Sequence, residues 1–125
     1  MQDRPTAAEL LRDIAALLEN DVLPATSGPV QHHVRVAANL SRIVQRELEL
    51  GPEARFRERA LLGELLGVEG SVAELNAEVA RRLRANDDDA FARAAWPVLL
   101  AITLDKLSID KPGHDAYDFA GEQLA

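Results

Sequence analysis

VQHHVRVAANLSRIVQRELEL, residues 30–50, is the stretch that decides the fold. Its apolar residues Val36, Leu40, Ile43, Val44 and Leu48 recur at three- and four-residue steps. That is the period of one helix face, not the alternation of a strand. The segment predicts a long amphipathic helix from about Val30 to Leu50 with this stripe turned inward. Gly51 stands in the usual stop position. Upstream, Pro24-Ala25-Thr26-Ser27-Gly28-Pro29 supplies the breaker and turn residues of a short helix–helix connection.

The neighbouring segments read the same way. Thr6-Ala7-Ala8-Glu9 fits a capping box, in which hydroxyl and carboxylate each satisfy an orphan backbone N–H. It opens a helix with Leu10, Leu11, Ile14, Ala15, Leu17, Leu18 and Val22 on one side, ended by Pro24. Pro52 suits the first turn of a third helix, with Phe56, Ala60, Leu61, Leu65 and Leu66 inward and Gly67 closing it. Ser71-Val72-Ala73-Glu74 repeats the capping box, and Leu75, Val79 and Leu83 follow until Asn86 breaks the pattern. Asp87-Asp88-Asp89 offers an N-cap and favourable charge at a helix start. The last helix carries Phe91, Ala94, Ala95, Val98, Leu99, Ile102 and Leu107, with Pro97 expected to kink or split it. From Lys111-Pro112-Gly113 onward, about residues 111–125, the chain reads as a partly ordered tail.

Composition agrees. Aromatics are 4% of the 125 residues while hydrophobic residues are 47%, and Leu and Ala, both good helix formers, dominate the apolar set. The expected fold is all-α: one domain over residues 1–125, an antiparallel bundle of four to five helices. Cysteine is absent, which removes disulfides, thiolate metal ligands and cysteine nucleophiles. A net charge of −7 opposes nucleic acid, whose binding needs clustered cations. Met1 is followed by the charged Asp3 and Arg4, and no apolar run approaches the ~18 residues of a membrane span. The expectation is a cytoplasmic protein with no membrane partner.

Three groups of residues carry possible chemistry. Arg35, Asn39, Arg42 and Arg46 are spaced four, three and four residues apart, hence aligned on one side of the helix. They read either as a site for a small anion, since guanidinium groups grip phosphate or carboxylate in bidentate fashion, or as a solvated edge whose arginines pair with Glu on neighbouring helices. The adjacent His32 and His33 point about 100° apart on a helix, which speaks against their sharing a metal, and His114 is isolated in the tail. No metal site and no cofactor is assigned. Trp96 beside Pro97, with Lys106 further along the same helix, reads as an interface or as a core anchor. Ser41, Ser71, Thr103 and Ser108 lack a nucleophile elbow, and no phosphate-binding glycine loop occurs. Gly63, Gly67 and Gly70 read as close packing and helix termination. No catalytic residue is assigned.

Several strings taken together, Arg4-Pro5-Thr6-Ala7-Ala8-Glu9-Leu10-Leu11, Arg35-Val36-Ala37-Ala38-Asn39, Arg46-Glu47-Leu48 and Leu104-Asp105-Lys106-Leu107-Ser108-Ile109-Asp110, resemble a family of small bacterial proteins of unknown function. Genes of that family lie beside aminoglycoside-phosphotransferase-like kinases and acyl-CoA dehydrogenases. The resemblance implies an accessory or partner protein to a kinase-like enzyme acting in acyl-CoA or hydroxy-acid breakdown. Together with the lack of catalytic signatures, the long amphipathic helix and the Trp-bearing last helix, the expectation is a non-enzymatic helical module that docks on such a kinase, on an acyl-CoA dehydrogenase or on a second copy of itself. A binding module for a small phosphorylated or CoA-linked ligand is the alternative.

Overall fold

Each helix start that the sequence marks with a cap is capped. In the computed structural model, which describes residues 4–85 and 87–113, the Glu9 N–H donates to Thr6 Oγ1 at 3.1 Å and the Thr6 N–H to Glu9 Oε2 at 3.3 Å. This box opens α1 (Ala7–Leu17). A π-helical turn (Leu18–Val22) follows, closed by the Leu23 N–H on the Leu18 carbonyl at 2.8 Å. Gln31 Nε2 reaches back to the Leu23 and Thr26 carbonyls at 3.1 and 2.9 Å, satisfying acceptors that the helix end leaves open. The chain then forms α2 (Gly28–Leu66), α3 (Val72–Ala85) and α4 (Asp89–Asp110). All the regular structure among the described residues is helical.

α2 corrects the expected boundary at Gly51-Pro52, because one helix of 39 residues runs through both. Pro52 removes one hydrogen bond, and its ring normally clashes with the Cβ of the residue before it. Gly51 has no Cβ, so the backbone tolerates the helical conformation. The same pair still marks a division: the chain forms two compact units, Met1–Gly51 and Pro52–Ala125.

In the first unit α1 and residues 28–51 of α2 pack as an antiparallel hairpin. Arg12 meets Glu49 and Glu19 meets Arg42, so the numbering rises on one helix as it falls on the other. The seam consists of Ala15, Val34, Ala38 and the buried amide of Gln45. Here most of the expected inward stripe is overturned: Ile43 is half-buried, but Val36, Leu40, Val44 and Leu48 are exposed, as are Leu10, Ile14 and Leu17 of α1. Small side chains let two helices approach closely, and the bulky ones fall outside the contact.

In the second unit Leu62 is fully buried among Leu66, Leu75, Val79 and Ile102, with Phe91, Val98 and Leu99 packed against them. Leu61 and Leu65 border this core as expected, but Phe56 and Ala60 lie exposed. Gly67 ends α2 in the left-handed region at φ 70°, its N–H on the Gly63 carbonyl at 2.8 Å. Asp88 caps α4 by accepting from the Phe91 N–H at 3.1 Å. α4 is not split at Pro97 but continues to Asp110.

Candidate functional site

The helical spacing of Arg35, Asn39, Arg42 and Arg46 brings all four to one groove of about 310 Å³ in the first unit. Its apolar floor is Leu18, Leu23, Val34 and Ala38, and its far side is Glu19 from the π-helical turn. The volume lies at the small end of the range for ligand sites, about 300–1,000 Å³.

Charge inside the groove is already partly matched. Arg42 grips Glu19 through two bonds, Nε to Oε1 at 3.2 Å and Nη2 to Oε2 at 3.1 Å. The hydrogen bonds from Arg42 hold the Glu19 carboxyl below its ordinary pKa against a smaller opposing effect of burial. The reciprocal bond raises Arg42. A relay continues from Arg42 Nη1 to Gln45 Oε1 (3.4 Å), from Gln45 Nε2 to Glu49 Oε1 (3.4 Å), and from Arg12 Nη2 to the same Glu49 oxygen (2.9 Å). Arg42 is therefore the linchpin of the hairpin, and Arg46 is also partnered. Among the described residues the side chains of Arg35 and Asn39 make no hydrogen bond or ion pair. The groove thus has one uncommitted guanidinium and one uncommitted amide, enough for a single small anionic group. Sequence reasoning missed Glu19, and only the register between α1 and α2 reveals it.

A larger groove of about 610 Å³ lies in the second unit, between the last turns of α2 and the start of α3. Phe56, Ala60, Val68 and Leu75 give it an apolar lining. Its glycines carry the signal that sequence offered. At Gly63 a Cβ would stand 3.2 Å from the Val68 carbonyl oxygen, so this position keeps the loop close to the helix. Arg59 Nε donates to the Gly70 carbonyl at 2.9 Å, fixing the loop from the other side. Phe56 is 75% exposed, the most exposed large apolar side chain described.

Trp96 and Lys106, read from sequence as one interface, have different surroundings. Trp96 is 58% exposed on α4. Lys106 Nζ stands 3.5 Å from Oε1 of the buried Glu58, which also accepts from Asn76 Nδ2 at 3.1 Å. Lys106 thus compensates a buried charge within its own unit. At the adjacent positions Arg57 holds Asp105 in bidentate fashion, both bonds 3.0 Å.

His32 and His33 stack at a tilt with ring centroids 6.1 Å apart. No group of three or more metal-ligating side chains occurs among the described residues. His114 and the tail beyond Gly113 lie outside the described residues. Among the described residues no helix is long and apolar enough to cross a membrane.

Residues 24–114 match the family described as a domain of unknown function, DUF6285. The chain belongs to that family. No curated protein and no solved structure matches it. The DUF6285 match takes in all of α2, α3 and α4 and begins after α1 and the π-helical turn. The groove's arginines and Asn39 therefore fall inside the family region, while Glu19 falls outside it.

Proposed function

We propose that this chain is a non-enzymatic helical interaction module that docks on a larger enzyme. The partner is a phosphotransferase-like kinase or an acyl-CoA dehydrogenase, the enzymes implied by the sequence resemblance, and the complex is cytoplasmic. The observation that carries the reading is the outward placement of Phe56 and Trp96 on the second unit. Large aromatics are costly to leave in water and are enriched where proteins bind one another. A bend of α4 at Pro97, which leaves the Arg93 carbonyl without its helical donor, belongs to the same reading, because it alters how the Trp96 turn presents itself. Co-purification with the two enzymes of the same genome tests the proposal. Trp96→Ala is expected to weaken the complex at least tenfold, about 1.4 kcal/mol. Failure of both enzymes to bind would overturn it.

A second reading rests on the arginine groove, where Arg35 and Asn39 stand uncommitted beside an apolar floor. In it the chain binds a small phosphorylated or CoA-linked ligand through bidentate contacts. Titration with inorganic phosphate and with coenzyme A, followed by NMR, separates the two readings. Saturable shifts at Arg35 and Asn39 that vanish in Arg35→Ala support the groove, and unchanged spectra at millimolar ligand remove it.

A further inference from the structure

Glu19 is the acidic side chain in the lining of the arginine groove, set against the guanidiniums of Arg35, Arg42 and Arg46. Its only charged partner among the described residues is Arg42. Arg42 Nε and Nη2 both donate to Glu19 and Nη1 donates to Gln45, so each nitrogen of this guanidinium is engaged. A carboxylate gripped by two parallel N–H bonds is the same complex that an arginine makes with an anionic ligand. The Glu19 side chain is 41% exposed, so it can swing into water without stranding a buried charge. It also stands on the π-helical turn Leu18–Val22, a rare geometry that recurs as single turns at functional sites.

We infer that Glu19 is a built-in competitor for the groove, and that the ligand able to displace it is a small phosphate monoester rather than a carboxylate. The inference rests on the anion reading of the groove and adds its ligand class and its regulation. A free carboxylate could only reproduce on Arg42 the two bonds that Glu19 already makes. Glu19 is tethered beside Arg42, with an effective concentration on the order of millimolar, so a free carboxylate gains nothing by the exchange. A phosphate monoester carries a charge of about −1.5 to −2 and three terminal oxygens. Two oxygens can take over the Arg42 bonds, and the third is left for Asn39 or Arg35, whose side chains are uncommitted. Exchange is thus neutral at Arg42 and favourable at its neighbours on the same side of α2. The Arg12–Glu49 pair and the seam of Ala15, Val34 and Ala38 do not involve Glu19, so the hairpin persists when Glu19 leaves.

The test is titration of the intact chain with inorganic phosphate at constant ionic strength, read by NMR on the arginine Nε–H and Asn39 side-chain signals. In the wild type the Arg42 signal is expected to move saturably together with those of Arg35 and Asn39, toward its position in Glu19→Gln. That variant should bind phosphate about fivefold tighter, the upper range for removing a partly exposed ion pair. Acetate at the same concentration should leave the wild-type signals in place. Circular dichroism of Glu19→Gln checks that the hairpin persists, and the wild-type Arg42 shift tests displacement without any substitution. If Arg35 and Asn39 shift while Arg42 stays, or if Glu19→Gln binds phosphate no tighter, the competitor falls and the groove reading stands. An acetate response equal to that of phosphate overturns the ligand class. Silence of both proteins at millimolar phosphate removes the groove reading and the competitor together. A free phosphorylated metabolite and the 3′-phosphate of coenzyme A share the monoester chemistry. Glycerol 3-phosphate and coenzyme A, each set against 3′-dephospho-coenzyme A, tell the two sources apart, and a response to neither above that of the dephospho form overturns the proposal.

Discussion

Leu62 is where the cost of a single residue is clearest. It is fully buried in the core of the second unit, so Leu62→Ala removes apolar contacts and leaves a cavity between α2, α3 and α4. The expected loss is about 3 kcal/mol, read from urea unfolding as a lower midpoint with unchanged slope. Glu78 shows an electrostatic effect of different origin. Hydrogen bonds from Arg81 and Arg82 hold its carboxyl at about 2, against an ordinary 4.5. A folded-state pKa below the unfolded one means stability that is fully present above about 4.5 and is lost as the pH falls through about 2. Glu78→Gln should lower stability above about 4.5, leave it unchanged below about 2, where the wild-type carboxyl is itself protonated, and so flatten the acid limb between those values. An identical acid limb would show that the Arg81 and Arg82 bonds do not persist in solution. The caps at Thr6, Ser71 and Asp88 were legible at this scale because they depend on residues three apart in sequence. Glu19 was not, because its partner Arg42 is 23 residues away.

At the scale of elements, periodicity told which side of α2 is apolar but not which side is covered. The row Val36, Leu40, Val44, Leu48 is regularly helical in its spacing and faces out, while the hairpin seam is built from Ala15, Ala38, Val34 and an amide. Hydropathy ranks side chains by size and polarity. Close approach of two helices selects small ones, and the two criteria point to different faces. The pair Gly51-Pro52 reads as a helix boundary and is instead a boundary between units within one helix. Pro52→Ala restores an N–H toward the Leu48 carbonyl, so it should stabilise the chain by about 2 kcal/mol, seen as a rise in Tm. A fall in Tm would mean that the helix is not continuous through residue 52. The arginine ridge fared better than the apolar row, since the spacing of four residues on one helix is enough to bring them to a single groove.

At the scale of the whole molecule, the two units present different unmet surfaces. The first carries an aliphatic row and a groove with one uncommitted guanidinium, and the second carries exposed Phe56 and Trp96. Membership of the DUF6285 family reaches from residue 24 to 114, so both the groove arginines and the aromatics belong to the family region. The sequence showed an all-helical chain, and it singled out Trp96. It placed Phe56 in the core because Phe is more often buried than not, and only the packing of Leu61, Leu62, Leu65 and Leu66 leaves Phe56 outside. The central claim is that the second unit recruits an enzyme through Trp96. The most direct measurement is quantitative co-purification of the intact chain, wild type and Trp96→Ala, with the phosphotransferase-like kinase and the acyl-CoA dehydrogenase of the same genome. A stoichiometric complex with one of them, weakened at least tenfold by Trp96→Ala, about 1.4 kcal/mol, is the predicted result. No complex with either enzyme, or a complex indifferent to Trp96, would contradict it.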